Sequence, residues 1–149
     1  MDRIEEVERK FRGYFKPYEL VSKSVYDRLS FEQIYELFTP EIKAVMVHIR
    51  ESVGLPMIIN NWYGGGAFQY RGYREPECSV GVSKSQHRIC NAFDFHFIGF
   101  NADQGRNFIL QKAMRDLPYQ IRIEDGVSWI HVDCKKVEGN SHKIVYFRA

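Results

Sequence analysis

The sequence lacks any long run of apolar residues, which argues against a membrane-spanning helix. Its longest apolar runs, such as Ile144–Phe147, are far shorter than the roughly 20 residues that a bilayer requires. The first residues also contain no apolar segment of the kind found in secretory signal peptides. We therefore expect synthesis in the cytoplasm without a signal peptide, and no membrane span.

Cysteine and surplus charge are scarce as well. The three cysteines, Cys78, Cys90 and Cys134, are an odd set too small for a disulfide framework, so we expect reduced thiols. The 21 basic residues barely exceed the 19 acidic residues, whereas a nucleic-acid partner requires clustered positive charge. The sequence shows no repeat and no linker rich in Pro, Ser or Gly. We predict a single domain over residues 1–149 and no nucleic-acid partner.

The residues that are present predict a helical N-terminal part followed by strands. Hydrophobic residues make up 44% of the 149 residues, enough for a sizeable core. Ser30 and Gln33 have the spacing of a capping box, and Thr39–Pro40 begins a longer helix that Gly54 ends. After Pro56 the apolar period shortens to two, and a helix follows Asn101. Strands are predicted at 57–59, 92–100, 121–123, 129–135 and 143–147. This order predicts an α+β fold, with N-terminal helices packed on a small antiparallel sheet.

Two of these strands carry titratable residues on one face. The segment 93–97 alternates three phenylalanines with Asp94 and His96, so a period of two places these two polar residues together. The segment 129–134 likewise places Trp129, His131 and Asp133 opposite its apolar residues. A solvated face more often carries Lys, Glu or Thr. Two His and two Asp residues therefore suggest the floor of a site.

Three of these polar side chains suit a zinc ion. His87 lies seven residues before Asp94, and His131 comes from another strand. Two imidazoles and one carboxylate leave the fourth tetrahedral position open for water, as in catalytic zinc sites. Zinc lowers the pKa of such a water to about 7. The alternative is three unrelated polar residues, each satisfied by hydrogen bonds.

The motif around these residues resembles a family of zinc peptidases. Ser85-x-His87-x(6)-Asp94, followed by Trp129-x-His131, is similar to the S-x-H-x-x-G-x-A-x-D and W-x-H motifs of the D-Ala-D-Ala carboxypeptidase, VanX and L-alanyl-D-glutamate endopeptidase group. The segment 72–74, Gly-Tyr-Arg, also matches, and the similar region covers about half of the chain. The resemblance implies the hedgehog/DD-peptidase fold. It also assigns roles to individual residues: metal ligands His87, Asp94 and His131; substrate-binding residues Arg74, Ser85 and Trp129, with Arg74 also catalytic; and Asp133, which either orients a ligand histidine or pairs with Arg74. His96, on the same strand face as Asp94, is a further supporting residue.

Two positions depart from the family motif. Cys90 replaces the glycine, which strains the loop if that position requires a positive φ. Cys90 is either a further ligand or a buried thiol. Ser128 replaces the carboxylate that the family uses as general base, three residues before the last histidine. Asp125 is the candidate we favour for the missing base, with Glu124 and His96 as alternatives.

The resemblance thus predicts a zinc-dependent peptidase acting on peptidoglycan-type peptides that contain D-amino acids, with a zinc-bound water as nucleophile. An enzyme without a signal peptide would suit a phage endolysin-like or tail-associated role at the cell wall, or a cytoplasmic dipeptidase. One alternative is a catalytically impaired zinc-binding domain that binds wall fragments or a protein partner. Another is a structural or virion protein that uses no metal.

Overall fold

The N-terminal part of the protein is a set of short helices. The computed structural model describes residues 2–76, 78, 80 and 85–148. The helices of this part are α1 (Arg3–Tyr14), α2 (Pro17–Leu20), α3 (Lys23–Arg28), α4 (Phe31–Leu37) and α5 (Pro40–Val53). The sequence analysis missed α2 and α3, which have four and six residues and are too short to show a helical period.

Capping residues define the ends of the predicted helices. The side chains of Ser30 and Gln33 form the expected capping box at the start of α4. The Thr39 side chain accepts a hydrogen bond from the backbone N–H of Ile42 and begins α5. Gly54 ends α5 in the left-handed conformation, at a φ of 75°, which glycine adopts without steric cost. The three sequence signals are therefore confirmed.

The sheet has five strands in the order β1-β2-β4-β3-β5. The strands are β1 (Met57–Ile58), β2 (Ala92–Phe97), β3 (Ile121–Glu124), β4 (Ile130–Asp133) and β5 (Ile144–Phe147). The α+β class is confirmed, but the prediction of a purely antiparallel sheet is wrong, because β5 pairs parallel to β3. Both edges of β4 are occupied, by β2 and β3. β5 therefore cannot pair with β4, and it lies instead at the outer edge of β3, parallel to it.

A helix between β2 and β3 begins as predicted. Asn101 and Gln104 form a capping box at the start of α6 (Ala102–Phe108). A π-helical turn at Ile109–Ala113 follows α6 directly.

One face of the sheet packs against the helices. Phe93, Phe95 and Phe97 of β2 are fully buried, and the ring of Phe93 stacks on Phe38 with centroids 4.8 Å apart. Phe11 of α1 packs 6.2 Å from the same ring. Burial of such aromatic side chains is a major source of the free energy of folding. The alternation predicted for β2 is confirmed, and it turns Asp94 and His96 to the other face.

Residues 71–73, between β1 and β2, lie against β2 and the end of α2. The backbone N–H of Tyr73 donates to the carbonyl of Leu20, and the N–H of Asp94 donates to the carbonyl of Arg71. A Cβ at Gly72 would overlap the Leu20 carbonyl oxygen, so only glycine allows this approach. These contacts hold the connection, and the functional residues it carries, against the sheet.

Candidate metal centre

Three donor atoms converge on the outer face of the sheet. Asp94 of β2 lies directly opposite His131 of β4, and the loop before β2 brings His87 to them. The distances are 3.1 Å from His87 Nε2 to Asp94 Oδ1, 2.8 Å from His131 Nδ1 to Asp94 Oδ1, and 3.2 Å between the two ring nitrogens. All three residues are buried. They form a group that can hold a metal ion.

The other nitrogen of each imidazole is held by a hydrogen bond. His87 Nδ1 lies 2.8 Å from the carbonyl oxygen of Gly72, which can only accept, so this nitrogen carries the proton. His131 Nε2 lies 2.7 Å from Asp133 Oδ2 and donates to that carboxylate. Both rings therefore direct their other nitrogen towards Asp94, where it can bind either a metal ion or a proton. Such partners of metal-binding histidines fix the ring orientation and the tautomer.

This arrangement requires a positive charge at its centre. Two nitrogen lone pairs and a carboxylate oxygen at about 3 Å repel one another unless a proton or a metal ion lies between them. Metal–ligand bonds of about 2.0–2.1 Å place the donor atoms of one ion roughly 3 Å apart, so the observed distances fit a shared ion. Without an ion, a proton on His131 takes its place. Burial lowers the pKa of His131, but hydrogen bonds to Asp133 and Asp94 outweigh burial and raise the pKa to about 9.

A second carboxylate, that of Asp133, accepts the hydrogen bond from His131. Asp133 is fully buried, and Arg122 of β3 donates to both of its oxygens, at 2.8 and 2.7 Å. Burial alone would raise the pKa of Asp133, but the hydrogen bonds from His131 and Arg122 lower it overall. The Arg122 guanidinium lies 3.8 Å from the centroid of Phe147, whose ring also packs against His131. Asp133 therefore orients His131, which is one of its two predicted roles. The other role was a pairing with Arg74, but the arginine that Asp133 contacts is Arg122.

Asp133→Asn is expected to weaken metal binding about 10–100-fold, because the amide can present its N–H₂ group to His131 and no longer stabilises the required tautomer. Titration with zinc in a competing chelator measures the dissociation constant. Asp116→Asn, at an exposed position, is the matched control and should bind zinc as the wild type does. Equal zinc affinities of the two variants would contradict a supporting role for Asp133.

Arg74 and Ser85 lie at the same cluster. Arg74 Nη2 is 3.2 Å from Asp94 Oδ2, and its Nε donates to the carbonyl of Tyr70 at 2.8 Å. Its side chain is only 12% exposed, so Arg74 is not a surface residue. Ser85 Oγ accepts a hydrogen bond from the backbone N–H of His87 and lies 3.5 Å from Arg74 Nη1. Ser85 thus steadies the loop that carries His87, and substrate contacts of both residues stay predictions.

Trp129 immediately precedes β4. Its carbonyl oxygen accepts a hydrogen bond from Arg106 Nη1 at 2.9 Å. Its indole Nε1 is buried and has no hydrogen-bond partner among the residues that the structure describes. Its substrate-binding role stays a prediction.

The candidates for the general base differ in position. Ser128 is exposed. Asp125 is exposed in the turn after β3, where its carboxylate accepts from the backbone N–H of Gly126 and lies 3.5 Å from Arg148. Among the contacts of the described ranges, none joins Asp125 to the metal-binding cluster. Its role as base stays a prediction, but its observed contacts point towards the turn.

Glu124 occupies a better position for a base. β3 pairs with β4 at Arg122–Asp133 and Ile123–Val132, and the alternation of β3 places Glu124 on the same face as Arg122, whose side chain contacts Asp133. Burial lowers the pKa of Arg74, and the charges of Asp94 and Glu124 are among those that partly offset this effect. Glu124 therefore faces the cluster. The alternation Ile-Arg-Ile-Glu in 121–124 already carried this signal, and it also marks Arg122, which the sequence analysis missed.

The remaining predicted residues lie at the margins of the cluster. Cys90 has a φ of 57°, the left-handed conformation that the family glycine suggested, at a cost of roughly 1–2 kcal/mol. The residue is buried in the hydrophobic core, and burial raises the pKa of its thiol to about 12. The metal-binding group does not include it. His96 Nδ1 accepts a hydrogen bond from Arg71 Nη1, and burial lowers the pKa of His96.

Comparisons of the chain with protein-family models, with curated proteins and with solved structures gave no match. Within the described part of the chain, no helix combines the length and the apolar character needed to cross a bilayer.

Proposed function

We propose that the protein is a zinc-dependent peptidase of the hedgehog/DD-peptidase type that cleaves peptidoglycan-type peptides containing D-amino acids. The observation that carries the proposal is the convergence of His87 Nε2, Asp94 Oδ1 and His131 Nδ1. The motif from the sequence contributes these three residues, and Ser85 and Arg74 lie against them. A set of two imidazoles and one carboxylate favours zinc over magnesium or calcium, which prefer oxygen ligands alone.

The chemistry divides between the ion and the side chains around it. Zinc, when bound, polarises the scissile carbonyl and lowers the pKa of a water molecule. Arg74 adds a second positive charge beside Asp94, where its guanidinium can donate to the oxygen on which negative charge develops. Glu124 accepts a proton from the attacking water and returns it to the leaving amine. Asp133 and Arg122 hold His131 in one orientation throughout.

The test is cleavage of peptidoglycan stem peptides by the zinc-loaded protein, with the new amino and carboxyl termini identified by mass spectrometry. Cleavage should stop when a chelator removes the ion and return when zinc is restored. His87→Ala should be inactive. His142→Ala, at an exposed position, should retain activity as the matched control. Cleavage that persists without metal, or in His87→Ala, would refute the proposal.

The replacement of the family base by Ser128 favours a second candidate function. A domain with the same zinc site but without an effective base would bind wall peptides and cleave them slowly, since general acid–base catalysis contributes about 10²–10⁴-fold. In that case the wild type binds stem peptides and zinc, but Glu124→Gln and Asp125→Asn leave its low cleavage rate unchanged.

A further inference from the structure

Arg71 lies next to the metal-binding cluster but takes no part in it. Its backbone carbonyl accepts a hydrogen bond from the N–H of Asp94 at 2.7 Å, and its N–H donates to Asn60 Oδ1 at 3.0 Å. Both contacts fix the Arg71 backbone against β2. The backbone position of Arg71 is therefore set in part by the same strand that carries Asp94.

The guanidinium of Arg71 is held in one orientation. It lies 3.6 Å from the centroid of Phe68, and its Nη1 donates to His96 Nδ1 at 2.9 Å. His96 is two residues beyond Asp94 on the same face of β2, a separation of roughly 6–7 Å along the strand. The backbone of Phe68 is itself tied to Asn61 by hydrogen bonds in both directions. These contacts thus hold the Arg71 side chain in place beside the metal-binding cluster.

This cation has no carboxylate partner in the described ranges. The other two arginines identified on this face both have one, since Arg74 contacts Asp94 and Arg122 contacts Asp133. Arg71 is half-buried, and burial lowers its pKa, with the charge of Asp94 acting in the opposite direction. Its Nε and Nη2 have no acceptor among the described residues, and neither is a buried unpaired atom, so both are open to solvent.

The Nη1 atom of Arg71 is hydrogen-bonded to His96, which leaves Nε and Nη2 free to donate. These two atoms of a planar guanidinium can bind one carboxylate through two parallel hydrogen bonds. We propose that Arg71, which packs on the Phe68 ring and donates a hydrogen bond to His96, binds a carboxylate of the peptide substrate and so selects acidic peptides at this site. The inference rests on the proposed peptidase function. The carboxylate belongs either to the C-terminus of the peptide or to an acidic side chain within it.

The experiment uses one peptide in four forms. The probe is N-acetyl-L-alanyl-D-glutamyl-D-alanine, with the glutamyl side chain as acid or amide and the C-terminus as acid or amide. Titration calorimetry gives the dissociation constant of each form for the zinc-loaded protein, and for zinc-free protein in chelator, where zinc-dependent cleavage cannot interfere. Amidation of the carboxylate that Arg71 contacts should weaken binding about 10–100-fold. The amidated position that has this effect identifies the source of the carboxylate.

Variants at Arg71 and Phe68 complete the test. Arg71→Met should bind the acid and amide forms equally, and Arg71→Lys should retain a reduced preference for the acid. Phe68→Leu, at a 41% exposed position, should weaken the preference without loss of folding. Arg115→Met removes the same charge at an exposed position and should behave as the wild type does.

The outcomes separate this inference from the proposed function. The inference is overturned if wild-type protein binds none of the peptides, if it binds acid and amide forms equally, or if Arg71→Met keeps the wild-type preference. Zinc-dependent cleavage that does not depend on Arg71 would leave the peptidase proposal intact. Conversely, an Arg71-dependent preference in a protein that takes up no zinc would support the carboxylate site and refute the peptidase.

Discussion

Zinc at a thousandfold excess over its dissociation constant is expected to raise the melting temperature of the wild-type protein by about 10 °C, and that of Asp94→Asn hardly at all. A ligand that binds only the folded state at this excess contributes about 4 kcal/mol, and each kcal/mol shifts the melting temperature of a domain of this size by roughly 2–4 °C. Asp94 Oδ1 lies within 3.1 Å of both ring nitrogens, and Asp94→Asn replaces this shared carboxylate with a neutral amide, which is a much weaker zinc ligand.

The comparison is made within each variant, with and without zinc, by differential scanning calorimetry. Asp94→Asn is itself destabilised, because Arg74 and His131 lose a buried partner. His142→Ala, which removes an exposed imidazole, should show the full wild-type shift. A full zinc-induced shift in Asp94→Asn, or none in the wild type, would mean that the cluster does not bind zinc.

The pH dependence of the zinc-free protein follows from His131. Its pKa in the folded state is about 9, above the value of about 6.5 expected in the unfolded chain. A raised pKa contributes stability that is fully present below pH 6.5 and is lost as the pH rises to 9. The zinc-free protein should therefore lose stability across this window. The zinc-induced shift should grow over the same window, because zinc no longer competes with a proton.

Glu124→Gln is expected to lower kcat by about 10²–10⁴-fold while the zinc affinity stays within a factor of two or so of the wild-type value. The amide keeps the size of the side chain but cannot accept the proton of the attacking water. Glu124 lies on the same face of β3 as Arg122, whose side chain contacts Asp133, whereas Asp125 contacts Gly126 and Arg148. Asp125→Asn is therefore the matched control and should retain kcat.

The two substitutions separate three outcomes. A loss confined to Glu124→Gln supports Glu124 as the base. A loss confined to Asp125→Asn would support Asp125 as the base, the candidate favoured from the sequence, and would mean that the turn after β3 moves towards the cluster when substrate binds. No loss in either variant, together with a low wild-type rate, would indicate the binding domain. Zinc titration of both variants distinguishes loss of chemistry from loss of the ion.

Local patterns in the sequence were sufficient for the starts of α4, α5 and α6 and for the two faces of β2. The capping residues of α4 and α5 act within one turn of the helix, so Ser30 and Thr39 indicate helix starts without knowledge of the fold. The alternation in 93–97 depends only on the pleat of a strand. It separates three buried phenylalanines from Asp94 and His96, as the structure confirms.

Contacts between residues far apart in the chain decided the features that local patterns did not predict. Whether Glu124 or Asp125 faces the cluster depends on where β3 ends in the folded sheet, and the direction of β5 depends on its pairing with β3. Arg71 lies in a loop without periodicity, so nothing in its neighbours along the chain indicates that its guanidinium packs on Phe68 beside β2. The sequence by itself determined which residues can bind a metal ion, because ligand chemistry belongs to the side chains. The tertiary structure alone decided which charges remain without a partner, because pairing depends on distances between residues far apart in the chain.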